Sequence, residues 1–211
     1  MLISELAKEI HANAVAHGWW EAERPDAEVF ALIHSEWSEA LEEARAGRPL
    51  VWYAADVGGV CWRAGDCHPF IGFGGRCGGV ISGTEHPILG GCPKMFKPEG
   101  VAVELIDGVI RILDYLGKMG ETLDAMEDYS PDIESLYGED GIDEVPGSVA
   151  ETIGWLHLRT SRAMDGSYVA LMRIMSLALS WVKMQGLDPL RVLLEKHEYN
   201  KGRPYKHGKL F

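Results

Sequence analysis

Four carboxylates stand in two pairs of equal spacing, Glu36 with Glu39 and Glu104 with Asp107. On a helix a three-residue step brings two side chains onto one face, about 5–6 Å apart. Either pair alone is common on a solvated helix. The second pair, however, lies in VAVELIDGVIRIL, a stretch too apolar to face water on all sides. Acids that converge in a poorly solvated place repel one another until a cation or a proton intervenes. Ligands that are all oxygen suit Mg2+, with Mn2+ as a substitute. The spacing therefore predicts a metal site of Glu36, Glu39, Glu104 and Asp107. Its natural chemistry is hydrolysis at phosphorus, because metal on phosphate oxygens neutralises charge and assists water attack.

The same register adds further candidates. Glu43 follows Glu36 by seven residues and is placed to orient the attacking water, with a surface salt bridge as the plainer alternative. Arg111 and Asp114 extend the stripe of Glu104 and Asp107, and Arg111 is a cation for Asp107 or for a phosphate oxygen. His34 lies two residues before Glu36, as a ligand contact or a packed histidine. Trp19, Trp20 and Trp37 offer rings for a base, at most one of them in that role; Trp20 is the one taken as a candidate. A tail after the last helix, with Lys196, Asn200, Lys201, Arg203, Lys206 and His207, concentrates cations and an amide, which favours phosphate binding there.

Helices must position these groups. Apolar residues recur at three- and four-residue steps over 3–17 and over 26–46, with Asp26 as N-cap and Gly18 and Gly47 as stops. Lys97-Pro98-Glu99-Gly100 is read as the opening of a third, buried helix that runs to Met119. Further helices are expected at 148–164, 168–185 and from Leu187 to about Tyr199. Residues 48–96 lose the periodicity and are far richer in glycine than the ~7% average, so they read as an irregular insertion or short hairpins. Residues 127–147 are acidic and broken by proline and glycine, which fits an exposed connector. The expectation is a single all-α domain over 1–211. An internal echo accompanies it: laying His157 on His34 brings Ser161 onto Ser38, and laying Gly186 on Gly120 brings Leu171 onto Leu105 and Trp181 onto Tyr115. In that alignment Arg159, Arg162, Ala170 and Arg173 replace the four acids, so the second half is a degenerate copy without a metal site.

The chain has 211 residues, 46% of them hydrophobic, and carries 20 basic against 32 acidic side chains, a formal charge of −12. Such a balance repels phosphate backbones and anionic membranes, which argues against nucleic-acid polymers and membranes as partners. No apolar run reaches the ~18–20 residues that span a bilayer, and the N-terminus is an acid-bearing amphipathic pattern, so a cytoplasmic protein is expected. In that setting Cys61, Cys67, Cys77 and Cys92 are free thiols or ligands of a structural Zn2+, although no CxxC knuckle is present. Gly72-Phe73-Gly74-Gly75 lacks the GK[ST] of a P-loop, and no Glu-x-x-His pair supports a di-iron bundle.

The blocks GWWEAERP, LIHSEWSEALEEAR, KPEGVAVELIDGVIRILDYL and KHEYNKGRPYKHGK together resemble the MazG-like branch of the all-α nucleoside triphosphate pyrophosphohydrolases. That family's signature is an ExxE helix followed by an ExxD helix, matched by Glu36, Glu39, Glu104 and Asp107. The resemblance implies a helical bundle that binds Mg2+ through these acids. It also implies hydrolysis of a small-molecule nucleoside triphosphate, deoxy or non-standard, to monophosphate and pyrophosphate. Small members are dimers that pool helices, so both a homodimer and an internal copy are open here. The competing function is a non-catalytic helical module that binds nucleotide or protein through the cysteine-rich loop.

Overall fold

The computed structural model describes residues 1–55, 60–61, 80–81, 84–85, 96–120, 131–138 and 145–208. Helix α1, Ile3–Ala16, buries Ile3, Leu6, Ala7 and Ile10 on one side. Helix α2, Asp26–Arg45, buries Val29, Phe30, Ile33, Trp37 and Ala40, and its cap position is held by Pro25, with Asp26 already helical. Strands β1 (Trp52–Ala55), β2 (Val60–Cys61) and β5 (Phe96–Glu99) form an antiparallel sheet in the order β2-β1-β5, while β3 (Val80–Ile81) pairs with β4 (Thr84–Glu85). The described part of the insertion thus contains short hairpins.

Lys97 to Glu99 are strand and not helix. They pair with β1 in the register Trp52 opposite Glu99 and Tyr53 opposite Pro98. The turn into the next helix falls at Gly100, whose φ of 110° favours glycine, and an added Cβ would meet the carbonyl oxygens of Pro49 and Leu50 at 2.7 Å. Helix α3, Val101–Lys118, therefore starts after the Pro-Glu-Gly sequence that reads as its first turn. Thirteen of its eighteen residues are buried, because α1, α2, β5 and two later helices pack around it. Gly108 allows the closest of these approaches, since a Cβ there would run into the indole of Trp37.

Residues 131–138 also depart from expectation. Leu2 bridges Asp132, and the Ile133 amide donates to the Met1 carbonyl at 2.9 Å. Ile133 begins a 3-10 turn, Ile133–Leu136, and is fully buried, while Ser176 Oγ donates to the Leu136 carbonyl at 2.6 Å. This part of the acidic segment is pinned to the core by its one isoleucine and by backbone bonds, not exposed throughout.

Helix α4, Val149–Arg162, is capped by Ser148, whose Oγ accepts from the Glu151 amide. Helix α5, Tyr168–Met184, is almost wholly buried beyond its first turn. Helix α6, Pro189–Lys201, has Asp188 as N-cap and proline in its first turn. Helices α2 and α4 meet through two side-chain contacts: His34 Nδ1 lies 2.8 Å from His157 Nδ1, and Trp37 Nε1 donates to Thr160 Oγ1 at 3.0 Å. The molecule is mostly helical, and among the described residues no helix is long and apolar enough to cross a membrane.

Candidate metal and active site

A cleft opens where α3 meets α1, α2 and α6. It is lined by Ile10, Asn13 and Ala14 of α1, by Trp19, by Glu36 and Glu39 of α2, and by Lys97 of β5. The wall is completed by Ile110 and His197, by Asn200 of α6 and Arg203 beyond it, and by the polar α3 residues Glu104, Asp107, Arg111 and Asp114. The α3 residues recur at steps of three and four, so one helix presents three acids and an arginine along one edge. The apolar faces of the surrounding helices force that edge inward. Glu104 is 2% exposed and Glu36 6%.

Glu36, Glu104 and Asp107 each place a carboxylate oxygen within 4.8 Å of the others. Burial raises the pKa of Glu36, with Arg111 opposing the shift and the charge of Asp107 adding to it. Glu104 is pushed up to about 10, first by burial and then by the charge of Asp107. Glu104 shares a hydrogen bond with Glu99. Burial would raise Glu99 too, but the bond from Glu104 and the Lys97 ammonium hold it below the usual carboxylate range. The proton of this pair accordingly sits on Glu104, which donates to Glu99.

Two cations, half-buried Arg111 and buried Lys196, balance the rest. Arg111 Nε donates to Glu36 Oε1 at 3.0 Å. Lys196 Nζ lies 2.9 Å from Asp107 Oδ2 and 2.9 Å from the Pro98 carbonyl oxygen it donates to, and it is 1% exposed. Burial by itself would lower the Lys196 pKa, but the charge of Asp107, its hydrogen bond and the charge of Glu99 outweigh it and keep the ammonium charged. Lys196 and Asn200 belong to α6, one turn apart, and are not part of a tail beyond the last helix. Asn200 Oδ1 is buried with no hydrogen-bond partner. An orphaned acceptor in the wall of a cleft is a place where a ligand donor fits.

The remaining sequence candidates divide. Glu39 is exposed at the cleft and has no ion pair or hydrogen bond among the described residues. Trp19 lines the cleft with the Arg111 guanidinium 5.5 Å from its ring centre, whereas Trp20 donates to Asp114 Oδ1 at 2.9 Å and stands outside the lining. Asp114 also meets His11 Nδ1 at 2.7 Å. Trp37 is core. Glu43 is taken up by Arg48 at 2.7 Å and by Trp52 Nε1 at 2.7 Å, so it fastens β1 to α2 away from the cleft wall. His34 pairs with His157 at the helix interface. The Lys206 amide donates to the His17 carbonyl, and its Nζ lies 3.9 Å from Glu21, again off the cleft wall. The side chains of Cys61, Cys67, Cys77, Cys92 and His207, and residues 72–75, lie outside the described residues.

Asn13, Lys97 and Glu99 join the site without having been singled out from the sequence. Lys97 and Glu99 had a signal, since residues two apart on a strand share a side. The helical reading of that segment hid it. No family model, curated protein or solved structure matches the chain.

The donor set fits a hard divalent cation. It is all oxygen, it is crowded, and two of its three carboxylates are so desolvated that protonation competes with charge. A bound cation would take the place of those protons.

Proposed function

We propose that this protein is an Mg2+-dependent nucleoside triphosphate pyrophosphohydrolase. The observation that carries the reading is the convergence of Glu36, Glu104 and Asp107 in one cleft whose wall also holds Glu39, Asn200 and Arg203. A cleft built only to be solvated would not sink two glutamates among apolar helices. Mg2+ or Mn2+, held by Glu36, Glu39, Glu104 and Asp107, supplies charge neutralisation and polarisation of phosphate oxygens when bound.

The chain's own residues do the rest. Arg111 and Lys196 fix Glu36 and Asp107 in place, so the acids cannot relax outward. Glu39, lacking a partner among the described residues, is the carboxylate free to turn towards an incoming group. Arg203 meets phosphate oxygens and Asn200 accepts from the nucleoside. Trp19 bounds the cleft on the α1 side. Water adds to the α-phosphorus as the bond to the β-phosphate bridging oxygen breaks, giving monophosphate and pyrophosphate. The resemblance to the MazG-like family, with its deoxy or non-standard nucleotide substrates, accords with this assignment. Incubation with each nucleoside triphosphate and Mg2+, assayed for pyrophosphate and monophosphate together, tests it; release of inorganic phosphate alone, or no turnover, contradicts it.

We also propose that α4 and α5 are a degenerate copy of α2 and α3 that completes the bundle within one chain. The supporting observation is the shared 123-residue separation of the His34–His157 and Trp37–Thr160 contacts. Matched residues that touch are what a two-fold relation produces on its axis. A homodimer is then not needed to enclose the site.

A further inference from the structure

The two-fold relation has a second flank. Two contacts one helical turn apart at the same offset belong to helices that run in the same direction about an axis along them. Ser38 Oγ donates to the His34 carbonyl and Ser161 Oγ to the His157 carbonyl, each at 3.0 Å, so the local bonding repeats as well. The offset carries Glu36 and Glu39, on the side of α2 that meets α3, onto Arg159 and Arg162 of α4. Matching Gly186 to Gly120 carries Glu104 and Asp107 onto Ala170 and Arg173 of α5. Where one flank gathers four acids, the other has three guanidinium groups and a methyl.

Arg162 and Arg173 are exposed and Arg159 half-buried, and none of the three has a side-chain ion pair or hydrogen bond with another described residue. Four other described arginines are engaged: Arg24, Arg45, Arg48 and Arg111 each hold a glutamate. The negative end of α4 favours Arg159 and Arg162 in its last turn. That effect does not extend to Arg173, which lies in the second turn of α5, nearer the positive end.

We propose that the α4–α5 flank is a metal-independent site for a phosphate-bearing small molecule, with Arg159, Arg162 and Arg173 as the donors. The inference rests on the internal-copy reading and is independent of hydrolysis. Guanidinium forks bind phosphate oxygens in pairs without a metal, and three of them match a di- or triphosphate better than a monophosphate. Ala170, in the place of Glu104, removes the acid that would repel such a ligand.

Titrating the full chain with inorganic pyrophosphate in EDTA isolates this flank, because the metal-free carboxylate cleft repels the anion. Saturation at one equivalent is expected, weakened about tenfold or more by R159Q/R173Q and unchanged by Glu39→Gln. A parallel titration with a nucleoside triphosphate distinguishes the ligand source: equal affinity means that phosphates alone are read, and tighter binding means that the nucleoside adds contacts. Arg159 and Arg173, neither of them buried, can be changed without loss of helical signal, which circular dichroism checks. Absence of saturable binding, or binding abolished by Arg203→Gln and kept by R159Q/R173Q, overturns the proposal. Mg2+-dependent pyrophosphate release is measured on the same variants. It should persist in R159Q/R173Q, so this site and the hydrolase reading fail separately.

Discussion

Lys196 Nζ lies 2.9 Å from Asp107 Oδ2 with the lysine almost wholly buried, and so α6 is fastened to the acidic edge of α3 by a charge pair whose lysine is out of contact with water. Removing one member of such a pair leaves a desolvated charge behind. Lys196→Met should therefore lower the unfolding free energy by about 3–5 kcal/mol, read by denaturant titration without added metal. A loss of only a few tenths would mean that Asp107 is adequately solvated without its lysine.

The acids make stability depend on pH in a stated direction. Glu104 titrates near 10 in the folded chain against an ordinary 4.5, and Glu36 is also raised. Between those values the folded state binds more protons than the unfolded state, so stability falls as pH rises through this window. Mg2+ needs the ionised carboxylates, so the stabilisation it gives should grow over the same range. Thermal melts from pH 6 to about 9, with and without Mg2+, should diverge as pH rises; parallel curves would count against these acids as metal ligands.

The His34–His157 contact acts in the opposite sense. The ring planes are 6° apart, and the centroids are separated by the nitrogen distance plus roughly two ring radii, so the imidazoles meet edge to edge through one shared proton. Burial lowers the pKa of both rings, and His34 adds to the effect on His157. Below the ordinary histidine value the unfolded state then binds more protons, and stability is lost as pH falls. Replacing both residues by phenylalanine should remove the loss of stability expected of the native chain as pH falls below about 6.5. An unchanged acid limb in the double variant would place that dependence elsewhere.

Gly108 sets how closely α2 approaches α3, since a Cβ there meets the Trp37 ring. Gly108→Ala should cost about 1–3 kcal/mol by overpacking. Because Glu36 is the residue before Trp37, it should also weaken Mg2+ binding. Intact metal affinity in a destabilised Gly108→Ala protein would mean that the spacing of the two helices does not govern the cleft.

Much of this architecture was legible in the residue pattern. Helices α1, α2 and α3 follow from apolar spacing, and the two carboxylate pairs on α2 and α3 are read from i,i+3 arithmetic alone. Lys97 to Glu99 were not legible as strand, because their partner, Trp52 to Ala55, is far away in the chain and proline before glycine imitates a helix start. Ile133 stands alone among acids and turns, so no periodicity marks it as core. Lys196 reads as one cation in a basic block. Only the packing of α6 against β5 and α3 reveals that it is buried beside Asp107. Glu43 shows the converse, a carboxylate in perfect register with Glu36 that the fold spends on Arg48 and Trp52.

The most direct measurement is pyrophosphate release from nucleoside triphosphates with Mg2+, comparing the native chain with Glu39→Gln. Glu39 is exposed and has no partner among the described residues, so the substitution should leave the melting temperature unchanged. Pyrophosphate and monophosphate should form in equal amounts with the native chain, and release should fall about a hundredfold or more in Glu39→Gln when a metal-binding charge is removed. No pyrophosphate from any nucleoside triphosphate, or undiminished release by Glu39→Gln, would contradict the assignment of this cleft.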